Sequence, residues 1–214
     1  KGTFETPDVR CRLVARDFRV KGEGHRDDLF AAMPPLEAKK LLFKMAAATW
    51  KSEDPDKIMH IDVKKALLNG VVGEDVWACI ELPAEDREEG KCGRLRRWLY
   101  GMRPAAKAWE DDYAEKLESI GFFRGRAAPT VFYHPKWNVR VVVHGDDFTV
   151  IGKQVFLNEV EKAMRGWYII TVKGVMGPKA EDCRDLCIVN RRLRIEGEFL
   201  IYEPGPKHAK IMCT

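Results

Sequence analysis

The chain has 214 residues, of which 45% are hydrophobic and 33% charged, a composition typical of one globular domain or two small subdomains. Its 17 glycines and 11 prolines are too few for a collagen-like or low-complexity chain. No stretch approaches the ~20 apolar residues of a membrane-spanning helix, and no apolar core of a signal peptide follows the basic start. Membrane and secreted classes are therefore disfavoured, and a net charge of +4 does not by itself indicate nucleic-acid binding.

The first half of the chain alternates predicted strands with one predicted helix. The apolar and basic alternation over 9–20 predicts a half-buried strand. Pro34 and Pro35 precede a predicted helix over 36–50, since proline suits the first helical turn. Apolar runs then predict strands over 58–63 and 74–82.

The second half predicts an antiparallel arrangement. A helix is expected from Pro104 to a cap at Gly121, and another after Gly152. The predicted strands cover 130–134, 139–144, 148–151, 167–172, 186–195 and 198–202. Because the first three of these are joined by tight turns, they should form a β-meander. The fold class expected is α+β, with an antiparallel sheet and the helices on one of its faces.

Six cysteines are spread along the chain, at Cys11, Cys79, Cys92, Cys183, Cys187 and Cys213. They could form three disulfides, but a chain of this size does not need them and no secretory signal indicates an oxidising compartment. No C-x-x-C occurs, and no histidine lies near Cys183 and Cys187 to complete a tetrahedral zinc site. We therefore predict reduced thiols.

Three carboxylates could meet at one end of the predicted sheet. Asp146 and Asp147 follow Gly145 in a hairpin turn, and Asp62 lies near the end of the separate strand over 58–63. Gly-Asp is common turn chemistry, so the turn alone indicates no function. Three converging carboxylates repel one another unless a cation joins them, and oxygen-only ligands favour Mg²⁺ or Mn²⁺. Two such ions can stabilise the attacking and leaving oxygens of a phosphoryl transfer.

Four blocks, in this order, resemble the reverse transcriptases of copia-type LTR retrotransposons. RLVARDF resembles the family's ARLVARGF, MHIDVKKALLNG resembles DVKNAFLNG, RRWLYGMRPAAKAW resembles KSLYGLKQAPRAW, and HGDD stands in the place of YVDD. SIGFFRGRAAPTVFYH is similar to SLGFKRSKADPSLFY. The likeness runs from about Val9 to about Ile211, and four ordered blocks are far more specific than GDD alone.

The resemblance implies a right-hand polymerase. By position, the fingers would cover 1–57 and 84–103, and the palm, with its antiparallel sheet, 58–83 and 104–180. The edge of the palm and the start of a partial thumb would cover 181–214. Since the chain begins with lysine, we also expect it to be part of a longer Pol polyprotein with ribonuclease H, integrase and protease regions.

The resemblance also assigns catalytic and metal-binding roles. Asp62 and Asp146 would be the principal ligands of two Mg²⁺ or Mn²⁺ ions, with Asp147 as an auxiliary acid and the carbonyl of Val63 completing a metal site. The residues implied to lie at the nucleotide are Arg10, Arg12, Lys65, Ala66, Leu67 and Arg103. Among these, the amides of Lys65 and Ala66 would lie under the triphosphate, and Arg10 or Arg12 would close on it.

Several positions depart from the family's pattern. Leu67 replaces an aromatic residue that blocks a ribose 2′-hydroxyl, so we expect weaker exclusion of ribonucleotides. Pro104 replaces a glutamine near the nucleotide, a contact that Arg103 would have to supply. Thr171 replaces a lysine that would protonate departing pyrophosphate, while Lys173 lies two residues on, on the same side of a strand.

A basic run from Lys91 to Arg103 is the best candidate for contact with template and primer. The residues predicted to contact nucleic acid are Arg94, Arg96, Arg97, Lys107, His144 and Gly145. His60 and His144 flank the acids, but a lone strand histidine is more often packed or hydrated without a catalytic role. Four tryptophans are predicted to lie in the core rather than to stack on bases: Trp77, Trp98, Trp109 and Trp167.

The function expected from the resemblance is RNA-directed DNA polymerisation on an RNA or DNA template with a primer and deoxynucleoside triphosphates, without a membrane. One alternative is a degenerate, inactive remnant that keeps the fold and some nucleic-acid binding, which the three departures favour. Another is a metal-dependent phosphodiesterase, which is weaker because no His-Asp ligand pair accompanies the acids. The expected location is the cytoplasm, in the virus-like particle of the element, or the nucleus.

Overall fold

The computed structural model describes residues 13–19, 21–22, 24 and 26–205. Three α-helices are described: α1 (Leu36–Ala48), α2 (Ala105–Ser119) and α3 (Gln154–Trp167). The strands are β1 (Lys57–Val63), β2 (Cys79–Ile80), β3 (Gly93–Arg94), β4 (Phe123–Arg124), β5 (Val131–His134), β6 (Val139–His144), β7 (Asp147–Gly152), β8 (Ile170–Met176), β9 (Asp185–Ile188), β10 (Arg191–Glu196) and β11 (Phe199–Pro204).

The chain forms two compact units. The first contains the described residues up to Phe30 together with Leu67–Asp112, and the second contains Ala31–Ala66 and the described residues from Tyr113 onward. No helix in the described ranges is both long enough and apolar enough to pass through a membrane.

The second unit is built on a six-stranded sheet in the order β4-β5-β6-β7-β1-β8. Every neighbouring pair is antiparallel, which confirms the predicted mixed α and β class with antiparallel pairing. The predicted meander is β5-β6-β7, and the earlier strand β1 lies between β7 and β8. Since six of the seven residues of β1 are buried, it suits this interior position.

Helices cover both faces of this sheet, so the prediction of helices on one face is wrong. On one face, α1 packs into an apolar cluster made of Leu42, Phe43, Ala46, Ile58, Val142, Ile151 and Met176. On the opposite face, Tyr113 of α2 makes edge-to-face contacts with Phe132 and Phe148, at centroid distances of 6.0 and 5.5 Å. The central strands carry apolar side chains on both faces, and each face therefore needs a cover.

A three-stranded sheet in the order β11-β10-β9 completes the α1 side of the second unit. Its buried Leu186, Ile188 and Leu193 join the cluster under α1. The run predicted as one strand over 186–195 is a hairpin, because Val189 and Asn190 have left-handed φ angles of 47° and 59° and reverse the chain.

The first unit contains less regular structure than predicted. Over 13–19, the described part of the strand expected at 9–20, no strand forms, and Leu13 and Phe18 are 58% and 76% exposed. The strand expected over 74–82 shortens to β2, because a turn in which the Val76 amide donates to the Gly73 carbonyl interrupts the run. The core of this unit is a small cluster of Val72, Ala78, Trp98 and Ala105.

Candidate active site

Asp62 and the Asp146-Asp147 pair meet at one end of two adjacent strands of the second unit. Asp62 on β1 pairs directly with Asp147 on β7 in the antiparallel register. The Val63 amide donates a hydrogen bond of 2.9 Å to the carbonyl of Asp146. The structure therefore brings Asp62, at the level of the backbone, to the Asp146-Asp147 pair, which lies at least 84 residues further along the chain.

The turn that carries Asp146 is a two-residue hairpin between His144 and Asp147, which pair across it. Gly145, the first residue of the turn, has a φ of +66°, whereas Asp146 does not have a positive φ. A positive φ at the first position alone is typical of the tight hairpin turn that places glycine there. The glycine of HGDD thus fits the backbone that holds Asp146 at the exposed tip.

Lys173 contacts the first acid. Its Nζ lies 3.5 Å from Oδ1 of Asp62, and both side chains are partly exposed. The pairing of β1 with β8 steps from Gly174 opposite His60 to Val172 opposite Ile61, which leaves Lys173 as the extra residue of a bulge. A bulge redirects a side chain, so the lysine reaches Asp62 although Thr171 occupies the paired position.

The imidazole of His60 contacts the carboxylate of Asp147. Its Nε2 lies 3.2 Å from Oδ1 of Asp147, and the ring is 2% exposed. Its Nδ1 is buried without a hydrogen-bond partner among the described residues, as is Oγ1 of Thr149, the residue paired with His60 on β7. His60 is therefore packed, as predicted for a strand histidine, but it also touches a candidate acid.

The donor set fits a divalent cation in chemical type. Asp62, Asp146 and Asp147 offer the carboxylate oxygens that Mg²⁺ and Mn²⁺ prefer. Among the residues that the structure describes, however, no three acidic, histidine or cysteine side chains are grouped so as to hold a metal ion. Instead, Asp62 lies against Lys173 and Asp147 against His60.

Two basic groups near the turn have altered proton affinities. Burial lowers the pKa of His144, the charge of Lys39 lowers it further, and the carboxylates of Asp147 and Asp146 oppose both effects. Burial also lowers the pKa of Lys39, which the charge of Asp147 opposes. Lys39 is 6% exposed and lies on α1, on the stripe that contains Leu42, Phe43 and Ala46.

The predicted nucleotide contacts lie partly in each unit. After β1, Lys65 has a left-handed φ of 56°, and the buried Ala66 begins a short 3₁₀ helix (Ala66–Asn69). Leu67 packs beside the apolar cluster of the first unit. The amide of Arg103 donates to Oδ2 of Asp17 at 3.0 Å. Arg10 and Arg12 lie outside the described residues.

The basic side chains of the first unit have different surroundings. Arg94 lies over the ring of Trp77 at 4.3 Å, and the guanidinium of Arg97 donates to the Asn69 carbonyl at 2.9 Å. Arg96 is exposed, and Lys107 forms an ion pair with Asp111 one helical turn away.

The prediction for the tryptophans is partly wrong. Trp98 and Trp109 are 8% and 2% exposed and lie in the core as expected, and Trp167 is half-buried. Trp77, in contrast, is 76% exposed, because the strand expected to bury it is interrupted. The four described cysteines, Cys79, Cys92, Cys183 and Cys187, carry no disulfide.

Sequence reasoning missed Lys39 and Arg191, which line one cavity with His144. A signal existed for Lys39, since it is a basic residue at a core position of the helical period, three and four residues before Leu42 and Phe43. No comparable signal marked Arg191, whose neighbours Arg192 and Arg194 have the same residue type.

Comparison with known proteins identifies the family of the chain. Residues 4–176 match the family described as reverse transcriptase (RNA-dependent DNA polymerase). This match covers more than half of the chain, so the chain belongs to the reverse transcriptase family. No solved structure matches the chain significantly.

Two curated relatives are Pol polyproteins of transposons. The chain is 26% identical, over 148 residues, to the Retrovirus-related Pol polyprotein from transposon RE1 of Arabidopsis thaliana, and 24% identical, over 153 residues, to that from transposon RE2. These alignments cover 67% and 69% of this chain but only 10% of each polyprotein. The prediction that the chain is a retrotransposon reverse transcriptase region of the copia type is thereby confirmed.

Proposed function

We propose that the chain catalyses RNA-directed DNA synthesis. In this reaction the 3′-hydroxyl of a primer attacks the α-phosphorus of a deoxynucleoside triphosphate, a new phosphodiester bond forms, and pyrophosphate leaves. The observation that carries the proposal is the direct pairing of Asp62 with Asp147, together with the bond from the Val63 amide to the Asp146 carbonyl. The chain that makes these two contacts belongs to the reverse transcriptase family.

Asp62 and Asp146 would hold two Mg²⁺ or Mn²⁺ ions, with the Val63 carbonyl and Asp147 as further donors. Such ions, when bound, neutralise the charge that develops on the attacking and leaving oxygens. The chain's own residues keep these donors on a rigid ladder, because β1 is hydrogen-bonded on both sides. Positioning of this kind accounts for most of the catalysis in phosphoryl transfer.

Lys173 is the proposed proton donor to departing pyrophosphate. Its ammonium lies 3.5 Å from Oδ1 of Asp62, one of the proposed metal ligands. Through the bulge in β8, Lys173 would take the place of the family's lysine, whose position Thr171 occupies. His60, beneath Asp147 at 3.2 Å, would hold that carboxylate in place.

Template, primer and nucleotide are the proposed partners, together with the other regions of a Pol polyprotein. The backbone of Lys65 and Ala66 would receive the triphosphate. The nucleic-acid contacts proposed are Arg94, Arg96, Arg97, Lys107, His144 and Gly145, with Arg103, Arg10 and Arg12 at the nucleotide. The assignment of fingers, palm and partial thumb with the boundaries given above belongs to this proposal, as does a location in a cytoplasmic virus-like particle or in the nucleus.

Extension of a labelled primer on an RNA template tests this function. We expect the chain to extend the primer in Mg²⁺ or Mn²⁺ and Asp146→Asn to abolish extension while it retains the primer–template duplex. Asp75→Asn, at an exposed carboxylate of the first unit, is the matched control. An Asp146→Asn variant that extends the primer at the wild-type rate would contradict the mechanism.

The alternative is an inactive module that retains the fold and binds nucleic acid. It is favoured by the absence, among the described residues, of three side chains grouped for a metal ion, and by Leu67, Pro104 and Thr171. Under this alternative the wild-type chain extends no primer in either metal, yet its binding to duplex weakens steeply as salt rises.

A further inference from the structure

Two buried polar side chains lie opposite each other on β1 and β7, two residues along each strand from the paired acids Asp62 and Asp147. They are His60 and Thr149, which are 2% and 1% exposed. Nδ1 of the histidine and Oγ1 of the threonine are buried and lack a hydrogen-bond partner among the described residues. Buried polar atoms of folded proteins are nearly always hydrogen-bonded, so this shared lack requires an explanation.

The neighbouring strands offer neither atom a polar side chain at the same level of the sheet. Val142 on β6 pairs with the other side of Thr149, and Gly174 on β8 pairs with the other side of His60. Directly paired antiparallel residues share a face of the sheet, with Cβ atoms about 4.5–5.5 Å apart. Rotation of the threonine between its staggered χ1 positions can therefore bring its hydroxyl to the imidazole.

The other nitrogen of the imidazole already contacts an acid. Nε2 of His60 lies 3.2 Å from Oδ1 of Asp147, a hydrogen-bond distance. An ionised carboxylate only accepts hydrogen bonds, so Nε2 must carry a proton to hold it. A neutral imidazole has one N–H, and the hydrogen bond at one nitrogen determines whether the other nitrogen carries it. A hydroxyl that donates to Nδ1 therefore places the proton on Nε2.

We infer that the hydroxyl of Thr149 donates a hydrogen bond to Nδ1 of His60 and thereby directs the Nε2 proton to Asp147. Thr149 is thus a positioning residue, which acts on the carboxylate through the imidazole. The role of Asp147 as a metal ligand rests on the proposed function, whereas the hydrogen bond between Thr149 and His60 does not. Groups that orient metal ligands typically contribute 10–100-fold to metal affinity or activity.

Nitrogen-15 NMR of the histidine side chains in the metal-free 214-residue chain tests the hydrogen bond. At about pH 8, where a free imidazole is neutral, we expect His60 to carry its proton on Nε2 and to accept at Nδ1. His60→Gln assigns the signals, because it removes one of the five histidines. Thr149→Val, which replaces the hydroxyl by a methyl group, should shift the Nδ1 signal, and Thr149→Ser should restore it.

Thr130→Val is the matched control. Thr130 is also 1% exposed, and its Oγ1 is likewise buried without a partner among the residues described. It precedes β5, which is separated from β7 by β6. Loss of this hydroxyl should therefore leave the signals of His60 unchanged.

Mn²⁺ binding, followed by electron paramagnetic resonance, tests the positioning role without turnover. Thr149→Val should weaken Mn²⁺ binding by about tenfold, at the lower end of the usual range for such groups. Thr149→Ser and Thr130→Val should bind Mn²⁺ as the wild type does. If Thr149→Val binds Mn²⁺ with wild-type affinity, Thr149 does not position the metal ligand.

The inferred hydrogen bond is overturned if the wild-type chain carries the proton on Nδ1 of His60, a result that needs no variant to fold. It is also overturned if Thr149→Val leaves both nitrogen signals unchanged. Failure of the proposed function gives a different result. A chain that binds no Mn²⁺ and extends no primer would contradict that function, while the Thr149-dependent signal of His60 would still be observed.

Discussion

The end of the six-stranded sheet and the basic segment of the first unit hold their candidate residues in different ways. Asp62 and Asp147 are paired residues of a hydrogen-bonded ladder, and Asp146 is held through its carbonyl. Arg96, in contrast, lies outside any helix or strand, and the nearest strands, β2 and β3, are two residues each. The proposed catalytic acids are thus held by paired strands, whereas the proposed nucleic-acid contact Arg96 lies on a loop.

The largest effect on primer extension should come from the carboxylates at the end of β1 and β7. Asp146→Asn should lower the rate of primer extension by at least ~10²–10³-fold, the usual cost of removing one preorganised electrostatic group. Duplex binding should change little, because the exchange does not remove a basic contact. Steady-state kinetics together with fluorescence anisotropy measure both quantities. Equal losses in Asp75→Asn would show that the effect is not specific to the turn.

The stability of the second unit should depend on a buried ion pair between Lys57, the first residue of β1, and Asp182. Their side chains are 7% and 4% exposed. Lys57→Met should therefore reduce the free energy of unfolding by about 3–5 kcal/mol, because a buried charge loses its partner. Lys51→Met, at an exposed pair with Glu198, should cost less than about 1 kcal/mol. Urea unfolding measures both, and similar losses would remove the distinction.

Lys173, the extra residue of the bulge in β8, should contribute to the chemical step. If its ammonium protonates the leaving pyrophosphate, Lys173→Met should lower kcat on the order of 10²-fold with little change in KM. Lys162→Met on α3, an exposed lysine, is the matched control. Pre-steady-state primer extension separates the chemical step from product release. A kcat equal to that of the control would leave Lys173 without a catalytic role.

Leu67 of the first unit should affect how strongly ribonucleotides are excluded. Leu67→Phe restores a flat ring at the position after the Ala66 amide, so it should improve discrimination against ribonucleotides by about tenfold, in the range that shape alone can supply. The ratio of kcat/KM for the deoxy and ribo substrates gives the result. Leu68→Phe, at the neighbouring half-buried residue, is the control. Discrimination that Leu67→Phe leaves unchanged would refute the steric role.

The smallest effect should come from the loop arginines. Arg96→Ala should lower the salt slope of duplex binding by about one, because one phosphate contact is lost. Arg165→Ala, at an arginine of α3 paired with Glu161, should leave the slope unaltered. Salt titrations of duplex affinity decide between them, and equal slopes for all three proteins would exclude Arg96 from the interface.

Much of the second unit could be predicted because its strands are marked by dense apolar runs and the turn between β6 and β7 by Gly145, whereas the turn at Val189 and Asn190 carries no glycine and was missed. The runs over 58–63 and 139–144 form β1 and β6 close to the predicted bounds. The first unit was harder to predict. The alternation of apolar and basic residues over 9–20 is typical of a strand, but residues 13–19 form no strand. Local pattern cannot show whether a neighbouring strand exists.

The acids of the site and the histidines that flank them could be predicted, but the contacts of Lys173, Lys39 and Arg191 could not. Asp62, Asp146 and Asp147 were marked by family blocks and by their places at the ends of strands. The contact of Lys173 with Asp62 depends on a bulge, and the cavity of Lys39 and Arg191 depends on packing between α1 and a separate sheet. Both arise from tertiary structure, which no short sequence window contains.

A double-substitution cycle on primer extension tests the central claim that Asp62 and Asp146 act as one centre. Residues that work as a unit have strongly non-additive effects. Asp62→Asn and Asp146→Asn should each remove most of the extension activity, and the double variant should lose little more than either one. A double variant whose loss equals the product of the two single losses, or a single variant with full activity, would contradict the account.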